Sequence, residues 1–517
     1  MPRLLRSAAA LAVAATIPVL AACGGGGSSG DASADPAAIV PARAAVYVEA
    51  NLKPGDDVTE LAKKLSGEED PGGALKRALE KSAHDSNPDF KYSEDVEPWL
   101  GDRIGFFVPR VQAGDSPVGL VAPTKDPDKA KKTLENELRR PSKGEPKPQI
   151  VERSHGGTKY IVDTSKDDGV AIVDDYAVFG SDEAIKGVID ARKGESLAET
   201  SEYDKARDAI EDDGAGFAYV RLSQIFSGLG AQGAAAGQAL SGLGDTIAVG
   251  LDGDASSLRL ESAALGAKGG GAAAGGPGKV FAELPGDAWF AAGASDIGGR
   301  IKQAIAQFTQ LGALGGQDPE KLLDQLERQL GIDPRRDLAN WLGDVGLFVS
   351  GETLVDIGGG LIATTKNPAA TRRAIPRLAR FLGKVGNVRA TPERRSGVDV
   401  GVKLRAPGLP LPIHMALTDD ERFVVAVTDA AFGRALTKGE PLGESKPFTD
   451  AAGKLEGFEP AVFLNFPPLA KLLDATGQGS DPSVAKARKA LDRLTTLIAG
   501  SKRDGDVTRG KLVVGVK

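Results

Sequence analysis

The chain has 517 residues, which is too long for one ordinary hydrophobic core and fits two domains of about 200 to 250 residues each. Hydrophobic residues make up 41% of it and charged residues 26%, which excludes a disordered composition. The 64 basic and 71 acidic residues leave a net charge of −7, and Cys23 is the single cysteine. One cysteine excludes an internal disulfide and a cysteine metal cluster.

Residues 1–22 have the pattern of a bacterial lipoprotein signal peptide. Arg3 and Arg6 form a positive start, an apolar run follows, and residues 20–23 read Leu-Ala-Ala-Cys, which is typical of a lipobox. We therefore expect lipidation of Cys23; the alternative is a conventional secretory signal with an incidental cysteine. Acyl chains on a cysteine hold a protein at a membrane. The sequence predicts an extracytoplasmic protein, anchored to the cell membrane by this lipid, with residues 23–35 as a flexible tether.

After the leader, no stretch approaches the roughly 18 consecutive apolar residues that a membrane-spanning helix needs. The lipid on Cys23 is therefore the only membrane attachment that the sequence predicts.

One motif occurs twice in the chain. Trp-Leu-Gly-Asp, followed by a glycine and an aromatic and aliphatic run, lies at 99–108 and again at 341–349. The pattern is typical of a loop or helix end that enters a buried strand, and its recurrence predicts a duplicated module. The motif residues that we single out, as structural ones, are Trp99, Gly101, Asp102, Trp341, Gly343 and Asp344.

Other paired signals extend this repeat over the chain. A capping Asp or Asn before proline predicts a helix start at 126–127 and at 367–368. Paired acids or Asp-Gly-Asp predict hairpin turns, at 174–175, 252–254, 419–420 and 504–506. Hairpin-connected strands with helices between them predict an α+β fold with a mainly antiparallel sheet and flanking helices. We expect repeats at 36–265 and 279–517, joined by a Gly/Ala linker at 266–278.

The chain resembles a known family in these features. The lipobox, the Val-Pro-Ala-x-Ala-Ala-Val-Tyr-Val opening at 40–48 and the Trp-Leu-Gly-Asp strand are similar to bacterial envelope lipoproteins grouped as domain of unknown function 3352. The resemblance implies a secreted or lipidated protein and supplies no catalytic residues.

Residue sets that carry chemistry are sparse. His84, His155 and His414 lack the spacing of metal ligands, so we expect no metal and no cofactor. Asp102 and Asp344 are the only acids tied to the repeated motif, and capping or turn formation is favoured over a site. The Asp-Gly-Asp segments could suggest calcium, but they lack the further oxygen ligands of an EF-hand, so we interpret them as hairpin turns.

A basic stripe follows the second predicted helix start. Arg373, Arg377, Arg380 and Lys384 recur at helical spacing and therefore share one face. Such a face can contact an anionic surface, although a solvated helix face is the more ordinary interpretation.

These features favour a non-enzymatic binding or scaffolding protein of the cell envelope. The alternative is a carrier of an apolar or lipid-like ligand, for which Ile301, Ile305 and Phe308 could line a groove; a carboxylate-based cell-wall hydrolase is less favoured. The expected partners are the membrane, through the lipidated N-terminus, and an envelope protein or lipid ligand. We expect no nucleic acid.

Overall fold

The computed structural model describes residues 34–84, 87–141, 147–230, 233, 237, 242, 244–267, 276–314, 333, 335–386, 388–406, 408, 411–437, 439–475 and 482–517. Cys23 and the predicted leader lie outside these residues, as do the side chains of His84, Phe308 and Lys384. No helix in this described part of the chain is long and apolar enough to span a membrane.

The chain forms two compact units. Unit 1 contains the described residues up to 267 together with 503–510 and Val516, and unit 2 contains the rest from 276 onward. The boundary falls within 266–278. The predicted second repeat contains the whole C-terminal hairpin, whereas residues 503–510 pack with unit 1. The physical reason is a buried ion pair in unit 1, in which Arg509 Nε donates to Glu261 Oε1 at 3.0 Å.

The sheet of unit 1 is antiparallel throughout, in the order β4-β5-β6-β7-β3-β2-β1-β8-β9-β10. Its strands are β1 Val46–Asn51, β2 Arg103–Val108, β3 Gly119–Pro123, β4 Ile150–His155, β5 Thr158–Asp163, β6 Asp168–Val173, β7 Tyr176–Gly180, β8 Gly216–Arg221, β9 Thr246–Asp254 and β10 Ser257–Leu265.

The other ten strands belong to unit 2 except at residues 503–510 and Val516. They follow the order β14-β15-β16-β17-β13-β12-β11-β18-β19-β20, which is the order of unit 1 with each strand number raised by ten. They are β11 Ala288–Ala294, β12 Leu342–Ser350, β13 Gly358–Thr365, β14 Arg389–Pro392, β15 Val398–Arg405, β16 Ile413–Thr418, β17 Arg422–Val427, β18 Glu459–Asn465, β19 Leu494–Asp504 and β20 Val507–Val516.

Helices connect the strands. Those of unit 1 are α1 Asp56–Ser66, α2 Pro71–His84, α3 Tyr92–Asp95, α4 Pro127–Arg139, α5 Asp182–Ala191, α6 Ser201–Asp208 and α7 Leu222–Gly228. Those of unit 2 are α8 Lys279–Ala282, α9 Ile297–Leu314, α10 Pro368–Gly386, α11 Asp429–Leu436, α12 Lys446–Ala452, α13 Phe466–Ala475 and α14 Pro482–Asp492. Short 3₁₀ or π turns occur at Pro36–Ile39, Leu197–Glu199, Arg335–Ala339, Leu442–Glu444 and Gly453–Leu455.

Each sheet buries both of its faces, because alternate residues of a strand point to opposite sides. In β6, Ala171 and Val173 join a core with Tyr47 and Ile185, whereas Val170 joins a second core. Unit 2 likewise has two apolar clusters, one around Phe432 and Phe463 and the other around Trp341 and Ile375. The predicted α+β class with a mainly antiparallel sheet is confirmed.

The last hairpins correct one expectation. In unit 1 the turn is not at 252–254, because β9 runs to Asp254, which pairs directly with Ser257. Gly253 lies within the strand, where a Cβ would come 2.4 Å from Leu61 Cδ2, so its role is to let helix α1 approach β9. In unit 2 the turn lies at 505–506, and Gly505 supplies the positive φ of +64°. The two Asp-Gly-Asp segments therefore occupy different positions in their hairpins.

Candidate functional site

The repeated motif has the same local structure in both units. Trp99 Nε1 donates to the carbonyl of Asp95 at 2.6 Å, and Trp341 Nε1 donates to the carbonyl of Asp337 at 2.6 Å. Each indole is buried and ends a helical turn just before a strand. Gly101 donates its N–H to the carbonyl of Pro123. These contacts are structural.

The two motif aspartates differ in what they bind. Asp102 lies 2.8 Å from Lys53 Nζ and 3.6 Å from Lys125 Nζ. Asp344 instead accepts backbone N–H groups, from Asp296 at 3.0 Å and from Lys279 at 3.3 Å. Its neighbour Gly343 lies against Thr364, where a Cβ would come 2.3 Å from the hydroxyl oxygen. An ion pair in one unit and a cap in the other do not form a common chemical site.

The basic stripe lies on the face of helix α10 (Pro368–Gly386) opposite its buried residues. Arg373 and Arg380 are exposed. Arg377 is bound to the buried Asp337, with 2.8 Å between Nη1 and Oδ1. Burial alone would raise the pKa of Asp337, but hydrogen bonds from Arg336, from a backbone N–H and from Arg377 hold that pKa below its ordinary value. Arg377 therefore supports the local fold, and the side chain of Lys384 lies outside the described residues.

Two histidines lie within the described side chains, and both contact carboxylates. His155 Nε2 lies 2.7 Å from Asp190 in unit 1. His414 is fully buried in unit 2, with Nδ1 2.6 Å from Glu393 Oε2 and its ring stacked on Phe432 at 4.5 Å. Within the described residues, no three His, Cys, Asp or Glu side chains are arranged to hold a metal ion.

The acids of the first Asp-Gly-Asp segment surround an arginine. Arg259 lies 2.6 Å from Asp254, 3.4 Å from Asp252 and 2.9 Å from Asp212. The guanidinium contacts all three carboxylates and offsets one of their three negative charges, so it ties β9, β10 and the Asp212 loop together.

Unit 2 contains an open cleft beside helix α11 (Asp429–Leu436), with a volume of about 710 Å³. Arg434 forms part of its wall, and its Nε donates to Asp287 Oδ2 at 2.7 Å. Arg434 and Asp287 also border a second hollow of about 510 Å³. The residues that line the larger cleft include four acids and two arginines: Glu283, Asp287, Asp420, Glu440, Arg422 and Arg434.

At the corresponding place in unit 1, a helix packs against a proline. Helix α5 (Asp182–Ala191) has the same cap as α11, because Ser181 accepts from the N–H of Ala184 as Thr428 does from that of Ala431. Six residues after its cap, α5 has Gly187 where α11 has Arg434. A Cβ at Gly187 would come 2.9 Å from Pro41 Cγ, so the helix packs directly on this proline.

Backbone contacts show that the two places correspond. Pro41 forms an isolated bridge with Ser196, and Pro285 forms one with Pro441. The opening of unit 2 thus coincides with the change from Gly187 to Arg434.

The cleft of unit 2 has both apolar and charged residues in its lining, and its charged residues are mainly acidic. Arg422 pairs with Asp420 at 2.9 Å. Burial would raise the pKa of Asp420, but hydrogen bonds from Thr418 and Arg422 hold it below its ordinary value. A general acid needs a raised pKa, so Asp420 is poorly suited to proton donation. Four carboxylates against two arginines favour a ligand rich in hydroxyl or cationic groups over an apolar one.

The residues expected for an apolar carrier do not line this cleft. Ile301 and Ile305 lie on helix α9 (Ile297–Leu314), away from the lining of either hollow, and the side chain of Phe308 lies outside the described residues. Sequence analysis misses Arg434 and Asp287. A comparison of equivalent positions in the two units supplies a signal for them, since unit 1 has Gly187 and Arg43 where unit 2 has Arg434 and Asp287.

Fold and site together describe an α+β protein with two antiparallel-sheet units of equal strand order and an open cleft in unit 2. The chain belongs to the family described as protein of unknown function DUF3352, whose model matches residues 5–515.

Among solved structures, crystal form I of TP0453 is similar, with a TM-score of 0.23 and 10% identity over 45% of this chain and 79% of that chain. Crystal form III of TP0453 has a TM-score of 0.19 and 8% identity over 79% of this chain and 99% of that chain. Likeness at this level carries no conclusion about fold or function. A search of curated proteins finds no match.

Proposed function

We propose that this protein is a lipid-anchored, extracytoplasmic and non-enzymatic binding protein, built by tandem duplication, which holds a polar ligand in the cleft of unit 2. The observation that carries the ligand site is the open cleft of about 710 Å³ at Arg434, at the place where Gly187 of unit 1 packs against Pro41. In this proposal one copy keeps a closed core after duplication, while the other acquires a cavity.

The equal strand order of the units supports the duplication, and the lipobox at Cys23 supports the anchor. The four carboxylates and two arginines of the cleft lining favour an envelope compound that bears hydroxyl or amino groups over the wholly apolar ligand of the alternative carrier function. The ion-paired state of Asp420 and Asp287 supports binding over hydrolysis.

The ligand site is tested by native mass spectrometry of the protein purified from its own membranes, with solvent extraction of bound material. We expect a polar adduct at one per chain, and its loss in Arg434→Ala, because this change removes the arginine that fixes the cleft wall. Arg372→Ala is the matched control, since Arg372 is an exposed arginine paired with Asp399 outside the cleft lining. A clean apoprotein mass for the unaltered chain would contradict the ligand site and turn the search to protein partners.

The anchor is tested separately by membrane fractionation of Cys23→Ala. We expect this variant to leave the membrane fraction, or to be held far less firmly, because two or more acyl chains are what makes attachment stable. Undiminished retention resistant to high salt would contradict lipid anchoring at Cys23.

A further inference from the structure

Unit 2 exposes large apolar side chains at one end of its sheet. Val355 is 93% exposed, Leu354 is 58% exposed and Leu411 is 45% exposed. Leu354 and Val355 are adjacent in the loop between β12 and β13, and Leu411 precedes β16. Isolated exposed leucines are common on protein surfaces, but a cluster on loops of one end marks an interaction surface.

The strand register places these loops together. Ser350 pairs with Gly358 below the loop of Val355, and Gly359 pairs with Val427. Val427 also pairs with Ile413, so Leu411 emerges at the same end. Neighbouring strands lie about 4.8 Å apart, so this row of loops and strand ends, from β13 to β14, spans roughly 20 Å.

Two arginines complete this end of the sheet. Arg389 of β14 lies directly opposite Arg405 of β15, and both side chains are exposed. Like charges directly opposite on neighbouring strands repel each other. Neither arginine forms an ion pair with another residue in the described part of the chain, so the pair is suited to an external anion. We call Leu354, Val355, Leu411, Arg389 and Arg405 the loop end of unit 2.

The acids near the loop end are already paired. Glu352 lies 2.7 Å from Lys471, and Asp356 lies 3.7 Å from Arg434. Asp429 lies 3.0 Å from Lys403 and also contacts Arg395. These acids are therefore paired with cations other than Arg389 and Arg405. The two arginines are left to give this edge of the sheet a positive potential.

Unit 1 lacks this combination at the corresponding end. In unit 1 the first residue of β4, Ile150, pairs with the last residue of β5, Asp163, where unit 2 has the two arginines Arg389 and Arg405. The loop from β2 to β3 is polar, and its Arg110 pairs with Glu183. The loop between β5 and β6 reads Thr-Ser-Lys-Asp at 164–167. Among the described residues of this end, exposed apolar loop residues flanked by unpaired arginines therefore occur in unit 2.

We propose that the loop end of unit 2 docks onto an anionic phospholipid surface, with Leu354 and Val355 entering the headgroup region and Arg389 and Arg405 binding lipid phosphates. Apolar side chains that enter the interface, next to cations that attract anionic lipid, are what holds a peripheral protein on a leaflet. This inference rests on the proposed membrane location, but its contacts are independent of the acyl chain and of the cleft.

The test uses the chain's single cysteine. In a Cys23→Ala background, Val355→Cys is the only thiol and can carry an environment-sensitive fluorophore. With vesicles of phosphatidylcholine and phosphatidylglycerol we expect a blue shift at position 355, and none with pure phosphatidylcholine. Adding Arg389→Gln and Arg405→Gln should weaken vesicle partitioning about 30-fold, because each cation at an anionic leaflet contributes roughly a factor of five.

Ala113→Cys, in the exposed loop from β2 to β3 of unit 1, is the matched label control and should not shift. The proposal would be overturned if anionic vesicles caused no emission shift of the fluorophore at position 355, or an equal shift of the fluorophore at position 113. So would a shift produced by soluble polyphosphate in place of vesicles, since that would assign the arginines to a free phosphate polymer. Because Cys23 and Arg434 are tested by fractionation and by ligand extraction, failure here is distinguishable from failure of the anchor or the cleft.

Discussion

At the last hairpin, units 1 and 2 bury charges of opposite sign. Glu261 is fully buried and Lys511 is 2% exposed, and the two positions correspond because each is the fifth residue of its strand, β10 or β20. Glu261 accepts from Arg509 Nε at 3.0 Å, and Lys511 Nζ donates to Glu456 at 2.7 Å. The same strand order therefore accepts either sign of charge at this position, provided that a counter-charge comes with it.

The partners differ in exposure, and this difference decides the cost of losing them. Arg509 is buried beside Glu261, whereas Glu456 is 65% exposed at its side chain. A buried charge that loses its partner destabilises the fold far more than an exposed charge does, because water can hydrate the exposed charge. The two units can be compared by removing one partner from each pair.

The largest effect is expected for Arg509→Ala, which leaves the carboxylate of Glu261 buried with only backbone N–H groups, from Glu211 and Asp212, to stabilise its charge. We expect a loss of about 3 to 5 kcal/mol in the stability of unit 1. Lys511→Ala is the matched change in unit 2 and should cost about 1 to 2 kcal/mol, because Glu456 stays hydrated. Calorimetric unfolding measures both, and equal losses would contradict the comparison.

An intermediate effect is expected at the paired helices α5 and α11. Gly187→Ala should destabilise unit 1 by about 1 to 3 kcal/mol, because the new Cβ would come 2.9 Å from Pro41 Cγ. Gly433→Ala in α11 is the control, since its Cβ meets nothing within 4 Å, and it should stabilise unit 2 by about 0.5 to 1 kcal/mol. Chemical denaturation of both variants measures these changes, and a stabilising Gly187→Ala would show that α5 can move off the proline.

The smallest effect concerns the acid response of unit 1. Burial alone would raise the pKa of Asp254, but hydrogen bonds from Ser256 and Ser257 and the charge of Arg259 lower that pKa from 3.8 to about 2. A carboxyl group with a lowered pKa stabilises the fold above its unfolded pKa, and this contribution is lost as pH falls from about 4 to about 2. In Asp254→Asn, the free energy of unfolding of unit 1 should therefore fall less between about pH 4 and about pH 2 than in the unaltered chain. The difference should be less than about 1 kcal/mol, because water screens this partly exposed group. Unfolding curves at several pH values measure it, and parallel pH profiles of variant and unaltered chain would contradict the assignment.

Much of the fold follows from local patterns in the sequence. The capped helix starts at Asp126 and Asn367, and the strands around Trp99 and Trp341, depend on hydrogen bonds between residues close in the chain. The short edge strand β14 escapes prediction, because Arg389–Pro392 is exposed on both faces and has no apolar alternation. The predicted hairpin turn of unit 1 is wrong, because an Asp-Gly pair looks the same in a turn as in a strand that needs a close helix contact.

The candidate site is harder to predict than the fold. The cleft depends on Arg434 and Asp287, which lie far apart in the chain and meet only through the sheet. The loop end combines Val355, Leu411 and Arg405 from separate connections, so its prediction requires the register between strands, which no local pattern fixes. Differences between equivalent positions of the two units are the sequence signal that points to both the cleft and the loop end.

The return of residues 503–510 to unit 1 has a consequence for biosynthesis. A chain made from its N-terminus exposes the strands of unit 1 to folding long before Arg509 has been synthesised. Until then, Glu261 lacks its guanidinium partner, so the earliest-made half of the polypeptide should stay open to quality-control proteases until the final residues arrive. A truncation that removes Arg509 would thus destabilise unit 1, which is synthesised first, although the missing residues are at the other end of the sequence.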